Sequence, residues 1–203
     1  GTYTTLSLYF VTALFSMPLS MLFAALQFSA PKFIRYIFDI YAWIFRGTPL
    51  ILQLIFFYYG LPLMTNNLIA FPAFTSAAIT FILNYSAYLM EIFRAGIESI
   101  EKGQFEAAYV LNLNRRQIMT RIILPQAVRR VLPPLSNEAI NLVKDTALVI
   151  VLGIGDLMLH AREILTRDFK LLPFVIAGII YLAFTSVLVL IFRRLEKKYV
   201  IRN

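Results

Sequence analysis

Long apolar runs separated by short polar segments are the main pattern of this chain. The first run, residues 6–28, contains no charged residue, and a transmembrane helix needs roughly 20 mostly apolar residues. Further runs cover residues 33–59, 73–93, 131–159 and 171–192. The pattern predicts an all-α membrane protein with about five transmembrane helices. The fourth run differs from the others because polar residues interrupt its middle.

The composition agrees with a membrane location. Of 203 residues, 60% are hydrophobic and 15% are charged, whereas soluble chains are roughly 45–50% apolar and about 25% charged. We therefore expect a single transmembrane domain over residues 1–203. The net charge is +8, but the basic residues flank apolar runs, so we expect no nucleic-acid partner. The chain has no cysteine, which excludes disulfides and thiolate metal sites.

The distribution of basic residues predicts the orientation in the membrane. Positive side chains accumulate in cytoplasmic loops. Lysine and arginine are concentrated in residues 32–35, 94–130 and 193–202. The loops on the other side carry only Arg162, Arg167 and Lys170. The N-terminus is therefore expected outside and the C-terminus in the cytoplasm.

The segment between the third and fourth runs, residues 106–125, is too polar to lie in lipid. Its first part predicts a short helix that ends at Asn112, because asparagine tolerates the left-handed conformation found at helix ends. Asn114 is expected to cap a second helix, with Gln117 as its capping-box partner. Pro125 is expected to kink or end that helix. Such a helical pair rests either on lipid headgroups or against a protein partner.

The same segment resembles the EAA loop of ABC-importer permeases. Glu106-Ala107-Ala108 is followed at the expected spacing by residues 122–125, which read Ile-Ile-Leu-Pro. Asn112 stands where the family usually has glycine. The resemblance implies that residues of about 99–125 form a cytoplasmic coupling loop that docks on an ATPase subunit. The contact residues it implies are Glu106, Ala107, Ala108 and Asn112.

The resemblance extends over nearly the whole chain to the polar-amino-acid branch of type I ABC importers, such as the histidine, arginine, glutamine and glutamate permeases. The matching motifs are Arg46-Gly47-Thr48-Pro49-Leu50, Asn84-Tyr85-Ser86-Ala87-Tyr88, residues 91–97, Gly103-Gln104 and Lys144-Asp145-Thr146. The resemblance implies an ABC-importer permease fold in the bacterial cell membrane. It also implies a second permease subunit, in a homodimer or a heterodimer, and an extracytoplasmic amino-acid-binding protein. ATP and Mg²⁺ would be bound by the ATPase subunits, and this chain would bind no cofactor.

Polar residues inside the apolar runs are candidates for substrate binding, because such residues are costly in a membrane. Asn84, Tyr88 and Glu91 lie at i, i+4 and i+7 on one helix face. An amino-acid zwitterion needs donors for its carboxylate and an acceptor for its ammonium group. The predicted substrate-binding residues are Asn84, Tyr85, Ser86, Tyr88, Glu91 and Asp156, the last of which follows a Gly-x-Gly break.

Two of these candidates have structural alternatives. Glu91 can pair with Arg94 instead of contacting substrate. Asp156 can cap a helix or pair with Arg162 near the outer surface. Both alternatives stay open on the sequence alone.

Three further charged residues, Arg46, Lys144 and Asp145, are interpreted as gating or structural. Arg46 would bind a substrate carboxylate, or snorkel, or pair with Asp39 at i–7. Lys144 and Asp145 would form gate contacts or pair with Glu138. His160 has no ligand partners nearby in sequence, so no metal site is proposed.

Motifs for enzymatic chemistry are absent from the sequence. No Walker sequence, G-x-S-x-G or H-E-x-x-H is present, which argues against a membrane enzyme and for a permease driven by a separate ATPase. The alternative is an ion-coupled secondary transporter that uses Glu91 or Asp156 as a proton site. Such folds usually show internal repeats, and none is apparent in this chain.

Overall fold

The computed structural model describes residues 1–199, and all regular elements in that range are helical. The predicted basic tail, residues 193–202, lies partly outside the described residues. Two π-helical turns, Phe56–Gly60 and Ile118–Ile123, and a 3₁₀ segment, Thr146–Leu152, join α-helices. The α-helices α1 to α10 are Thr2–Ser29, Lys32–Gly47, Leu50–Ile55, Leu61–Met64, Ala73–Glu98, Lys102–Val110, Arg115–Gln117, Leu124–Asp145, Leu157–Asp168 and Leu172–Tyr199.

Three helices, α1, α5 and α10, are long and apolar enough to cross a membrane. Helix α2 and the helical stretch Leu50–Met64 together are also long and apolar enough to form a span, but they meet at an angle of 103°. These elements confirm the predicted all-α fold. The fourth apolar run, residues 131–159, is not one helix but is divided among α8, the 3₁₀ segment and the start of α9. The total of five spans stays a prediction.

Helix α1 packs along α5 and carries a row of buried small side chains. Thr5, Thr12, Ser16 and Ser20 on α1 are all almost completely buried. Small residues let the backbones of membrane helices approach closely. A large apolar cluster continues from this contact through Phe81 of α5 toward α3 and the 3₁₀ segment.

The break between α2 and α3 is stabilised by side-chain amides. Pro49 precedes α3, and α2 ends at Gly47. The carbonyl oxygen of Phe45 accepts hydrogen bonds from Gln53 Nε2 at 2.9 Å and from Asn84 Nδ2 at 3.0 Å. Within a bilayer a carbonyl freed by such a break needs a protein partner. The two amides therefore fix the position at which α2 ends.

The polar segment folds as predicted at its two asparagines. Asn112 has a left-handed φ of 55°. Asn114 caps α7 in a complete capping box: its Oδ1 accepts from the Gln117 backbone N–H at 2.9 Å, and Gln117 Oε1 accepts from the Asn114 N–H at 3.0 Å. The alternative that Pro125 ends the second helix is wrong. Pro125 lies at the first turn of α8, directly after a π-helical turn, so helical backbone continues from residue 115 to residue 145.

Candidate functional site

Two adjacent cavities lie between α2, α5 and α8. The first, of about 450 Å³, is called the central cavity, and the second, of about 630 Å³, is called the loop-side cavity because it extends to Ser99 and Arg130 beside the polar segment. Three residues line both: Arg46, Tyr88 and Glu138. The central cavity is lined by Arg46, Gly47, Thr48, Pro49, Leu50, Asn84, Tyr85, Tyr88, Glu138, Asn141 and Asp145.

The central cavity lies where two interrupted helices meet. One interruption is the bend after Gly47, and the other is the change from α8 to 3₁₀ geometry after Asp145. Helix α3 packs against the 3₁₀ segment. Interrupted helices near the middle of a membrane are a common way to build transporter binding sites, because they bring backbone and polar side chains into an apolar environment.

Helix α8 contributes a polar face that the sequence reasoning missed. Glu138, Asn141 and Asp145 are spaced at i, i+3 and i+7, and all three line the central cavity. On the sequence alone, Asp145 was expected to be a gating or structural residue and Glu138 only a pairing partner, and Asn141 was not a candidate. Their helical spacing was the signal that would have identified them.

Two of the predicted binding residues have fixed hydrogen bonds at the cavity wall. Asn84 Nδ2 donates hydrogen bonds to Phe45 O and to Gln53 Oε1, each at 3.0 Å. Its Oδ1 therefore remains as the acceptor that it can offer to a ligand. Tyr85 donates its hydroxyl proton to Asp145 Oδ2 at 2.7 Å, which holds that carboxylate against the cavity.

Two other predicted binding residues lie away from both cavities. Ser86 is completely buried, and its hydroxyl bonds Tyr41 Oη at 2.6 Å and Leu83 O at 2.9 Å. Asp156 is the N-cap of α9, where its carboxylate accepts from the backbone N–H groups of Met158 and Leu159 at 3.1 and 2.9 Å. The capping alternative for Asp156 is confirmed. The described residues contain no ion pair between Asp156 and Arg162.

Glu91 lines the loop-side cavity and is held by two arginines. Arg94 binds it with two hydrogen bonds, Nη2 to Oε2 at 2.6 Å and Nε to Oε1 at 3.2 Å, which confirms the predicted pairing. Arg46 Nη1 lies 3.3 Å from Glu91 Oε2. The predicted alternative of an Arg46–Asp39 pair is wrong, because Asp39 instead accepts from Gln27 Nε2 at 2.7 Å.

The remaining gating candidates differ in position. Asp145 lines the central cavity, whereas Lys144 is exposed and lines neither cavity. Among residues 1–199, Lys144 forms no ion pair with Glu138. His160 Nδ1 lies 3.1 Å from Glu163 Oε2, and no group of three or more potential metal ligands occurs in the described part of the chain.

The predicted docking segment presents an apolar patch. In α6 Glu106 and Ala107 are exposed, whereas Ala108 is buried in a small cluster with Ile100, Ile118 and Ile123. Directly after them Val110 is 86% exposed and Leu111 is 71% exposed. This patch was not identified from the sequence, because its residues follow the helical apolar pattern that normally indicates burial.

The sequence matches a family model described as a binding-protein-dependent transport system inner membrane component, over residues 16–201. A putative glutamine transport system permease protein of Rickettsia bellii is 37% identical over 202 residues, which cover 99% of this chain and 92% of that protein. The arginine transport system permease protein of Bacillus subtilis is also 37% identical, with 98% and 90% covered.

Solved structures show the same similarity. The crystal structure of an amino acid ABC transporter with histidines matches with a TM-score of 0.89 and 33% identity, covering 98% of this chain and 92% of that chain. An inward-facing structure of the MetNI methionine ABC transporter matches with a TM-score of 0.82 and 16% identity, covering 99% and 95%. The second similarity concerns the fold alone.

Proposed function

The chain belongs to the family of binding-protein-dependent transport system inner membrane components, as the permease component of an amino-acid ABC importer, and we propose that its central cavity binds the amino acid in transit. The observation that carries this proposal is the charge of the cavity. Arg46, near the end of α2, and Glu138 and Asp145, on α8, all line it. The volume of about 450 Å³ is in the usual range for small-ligand sites.

The lining matches the chemistry of an amino acid with a cationic or neutral polar side chain. Arg46 provides donors for a carboxylate, and Asn84 Oδ1 accepts from an ammonium group. Asp145 accepts the hydroxyl proton of Tyr85. Glu138 also lines the cavity and would accept from the substrate side chain. Because two carboxylates face one guanidinium, cations such as arginine and histidine are preferred over neutral glutamine. Glu91 and Asp156, which are placed outside this cavity, are not part of the proposed binding set.

A direct test is the binding of radiolabelled L-arginine and L-glutamine to the purified permease with its ATPase. Glu138→Gln is expected to lower the affinity for L-arginine about tenfold, because one charge-assisted hydrogen bond is lost, and to change the affinity for L-glutamine much less. Glu163→Gln, a matched change of an exposed carboxylate in α9, is the control. Equal affinities for L-arginine in all three proteins would contradict the assigned cavity.

The apolar patch of α6 and the residues after it is the proposed docking surface for the ATPase. Val110 and Leu111 are exposed beside Glu106, while the cluster around Ala108 holds the segment in place. Exposed apolar groups of this kind usually mark an interface. In this proposal Glu106, Ala107, Ala108 and Asn112 form or shape the contact, and ATP and Mg²⁺ are bound by the partner.

Co-purification tests the docking surface. Val110→Asp is expected to remove most of the ATPase from an affinity-purified permease, because a carboxylate would be buried in an apolar contact. Leu68→Asp, at a residue that is 88% exposed in a different loop, should leave the complex intact. Retention of the ATPase at wild-type stoichiometry by Val110→Asp would argue against this surface.

The other partners follow from the same function. Both cavities are partly open, and a second permease subunit, identical or similar, would close them in a dimer. An external binding protein would deliver the amino acid, with the N-terminus outside and the C-terminus in the cytoplasm. The ion-coupled alternative receives no support from the related proteins, which are permeases of transport systems of this family.

A further inference from the structure

Arg46 occupies the boundary between the two cavities. Its side chain lines both of them, together with Tyr88 and Glu138. The guanidinium lies over the Tyr88 ring at 5.6 Å and beside Glu91 at 3.3 Å. Cation–π attraction and the ion pair therefore hold Arg46 at the boundary between the central and the loop-side cavity.

Arg46 makes a weaker contact with the Glu91 carboxylate than Arg94 does. Arg94 forms two hydrogen bonds with Glu91, at 2.6 and 3.2 Å, whereas Arg46 contributes one longer ion-pair distance. The Arg46 side chain is 43% exposed, and the Glu91 side chain is 16% exposed. Paired guanidinium and carboxylate groups are strongest in the bidentate arrangement, which only Arg94 has here.

Glu91 would keep a partner if Arg46 moved away. Removing the only partner of a poorly exposed carboxylate is strongly unfavourable. Arg94 prevents that situation, because its two hydrogen bonds remain with Glu91 when Arg46 leaves. The arrangement lets Arg46 change partners at small cost.

We propose that Arg46 is a substrate-sensing gate residue, for which Glu91 and the α-carboxylate of the amino acid in the central cavity compete. In the empty permease Arg46 pairs with Glu91 and closes the passage between the cavities. A bound carboxylate draws the guanidinium into the central cavity, so the passage is released only when substrate is present. This inference rests on the proposed substrate role of the central cavity.

If Glu91 and the substrate carboxylate compete for Arg46, substitutions of Arg46 and of Glu91 change the affinity for the amino acid in opposite directions. Arg46→Gln removes the group that receives the carboxylate, so affinity falls. Glu91→Gln removes the competitor, so affinity rises. An ion pair that only stabilises the fold would give a loss of affinity, or no change, in both variants.

The test uses the purified permease–ATPase complex with L-arginine and with agmatine, which keeps the guanidinium group but lacks the carboxylate. Arg46→Gln is expected to lower the affinity for L-arginine at least about tenfold and not to lower that for agmatine. Glu91→Gln should raise the affinity for L-arginine severalfold, without an effect on agmatine. Glu98→Gln, which removes a carboxylate that contacts Arg94, is the matched control.

The outcomes distinguish a failure of the proposed gate from a failure of the proposed binding cavity. A loss of L-arginine affinity in Glu91→Gln would overturn the gate and leave the central cavity as a binding site. Equal losses for L-arginine and agmatine in Arg46→Gln would also overturn it. Wild-type complex that binds neither compound would overturn the cavity assignment itself. If Arg46→Gln does not fold, Arg46→Lys, which keeps the charge without the planar fork, is expected to give a smaller loss of L-arginine affinity.

Discussion

Two asparagines define the geometry of the segment proposed to dock the ATPase. Asn112 adopts a left-handed φ of 55°, and Asn114 forms both hydrogen bonds of a capping box. Their separate roles explain why α6 ends sharply and a new helix begins within a few residues.

Substitution of Asn112 tests this conformational requirement. Asn112→Gly is expected to leave the stability of the segment nearly unchanged, whereas Asn112→Val should destabilise it by roughly 1–2 kcal/mol, because a β-branched side chain is strained in the left-handed region. Hydrogen exchange of residues 102–117 measures the effect. Equal protection in both variants would contradict the account.

Asn84 is the second residue on which the local structure depends. Asn84→Asp would place a carboxylate against Phe45 O and Gln53 Oε1, both of which are acceptors. We expect a loss of roughly 1–3 kcal/mol in stability, measured as a lower unfolding temperature of the complex. An unchanged unfolding temperature in Asn84→Asp would count against the assigned hydrogen bonds.

At the scale of elements, α5 and α8 approach closely beside the loop-side cavity. A Cβ atom added to Gly96 would lie 2.2 Å from Val131 Cγ1, so the glycine is needed for this contact. Tight packing at a small residue is typical of membrane helices. The contact sets how the polar face of α8 meets the polar face of α5.

Gly96→Ala is therefore expected to lower the stability of the permease by roughly 1–3 kcal/mol through overpacking. Gly178→Ala in α10 is the control, since nothing lies within 4 Å of the added methyl group. Thermal unfolding followed by tryptophan fluorescence or by aggregation compares the two. Identical unfolding temperatures would show that α5 and α8 can separate without penalty.

The elements with strong local signals were predictable from the sequence. The apolar runs at residues 6–28, 73–93 and 171–192 correspond to α1, α5 and α10, and the capping box was predicted residue by residue. The fourth run is divided because the backbone changes to 3₁₀ geometry after Asp145 and then turns at Gly153, which has a left-handed φ of 67°. Pro133 and Pro134, in contrast, lie inside α8 without ending it. A prolyl residue that normally breaks a soluble helix is tolerated in membrane helices.

The candidate site was only partly predictable for a different reason. The bonds that build the central cavity join residues far apart in sequence, such as Asn84 with Phe45 and Tyr85 with Asp145. No local pattern encodes these pairs. Asp156, in contrast, followed a convincing glycine-rich break, and its carboxylate is used by the helix that begins directly after it.

On the scale of the whole molecule, one continuous helical backbone links the proposed docking surface to the central cavity. It begins at Arg115 beside α6 and ends at Asp145 in the cavity wall. Glu138 lies on the same helix and lines both cavities. A displacement of the docking segment by a closing ATPase would therefore be passed along this helical backbone to the cavity wall.

Uptake of L-arginine into proteoliposomes that contain the permease, its ATPase and its external binding protein is the most direct measurement. We expect accumulation that requires ATP and Mg²⁺ on the side of the membrane that carries the ATPase. It should be abolished by Val110→Asp and persist when ion gradients are dissipated. Accumulation driven by an ion gradient without ATP, at the same rate in wild type and in Val110→Asp, would contradict this expectation.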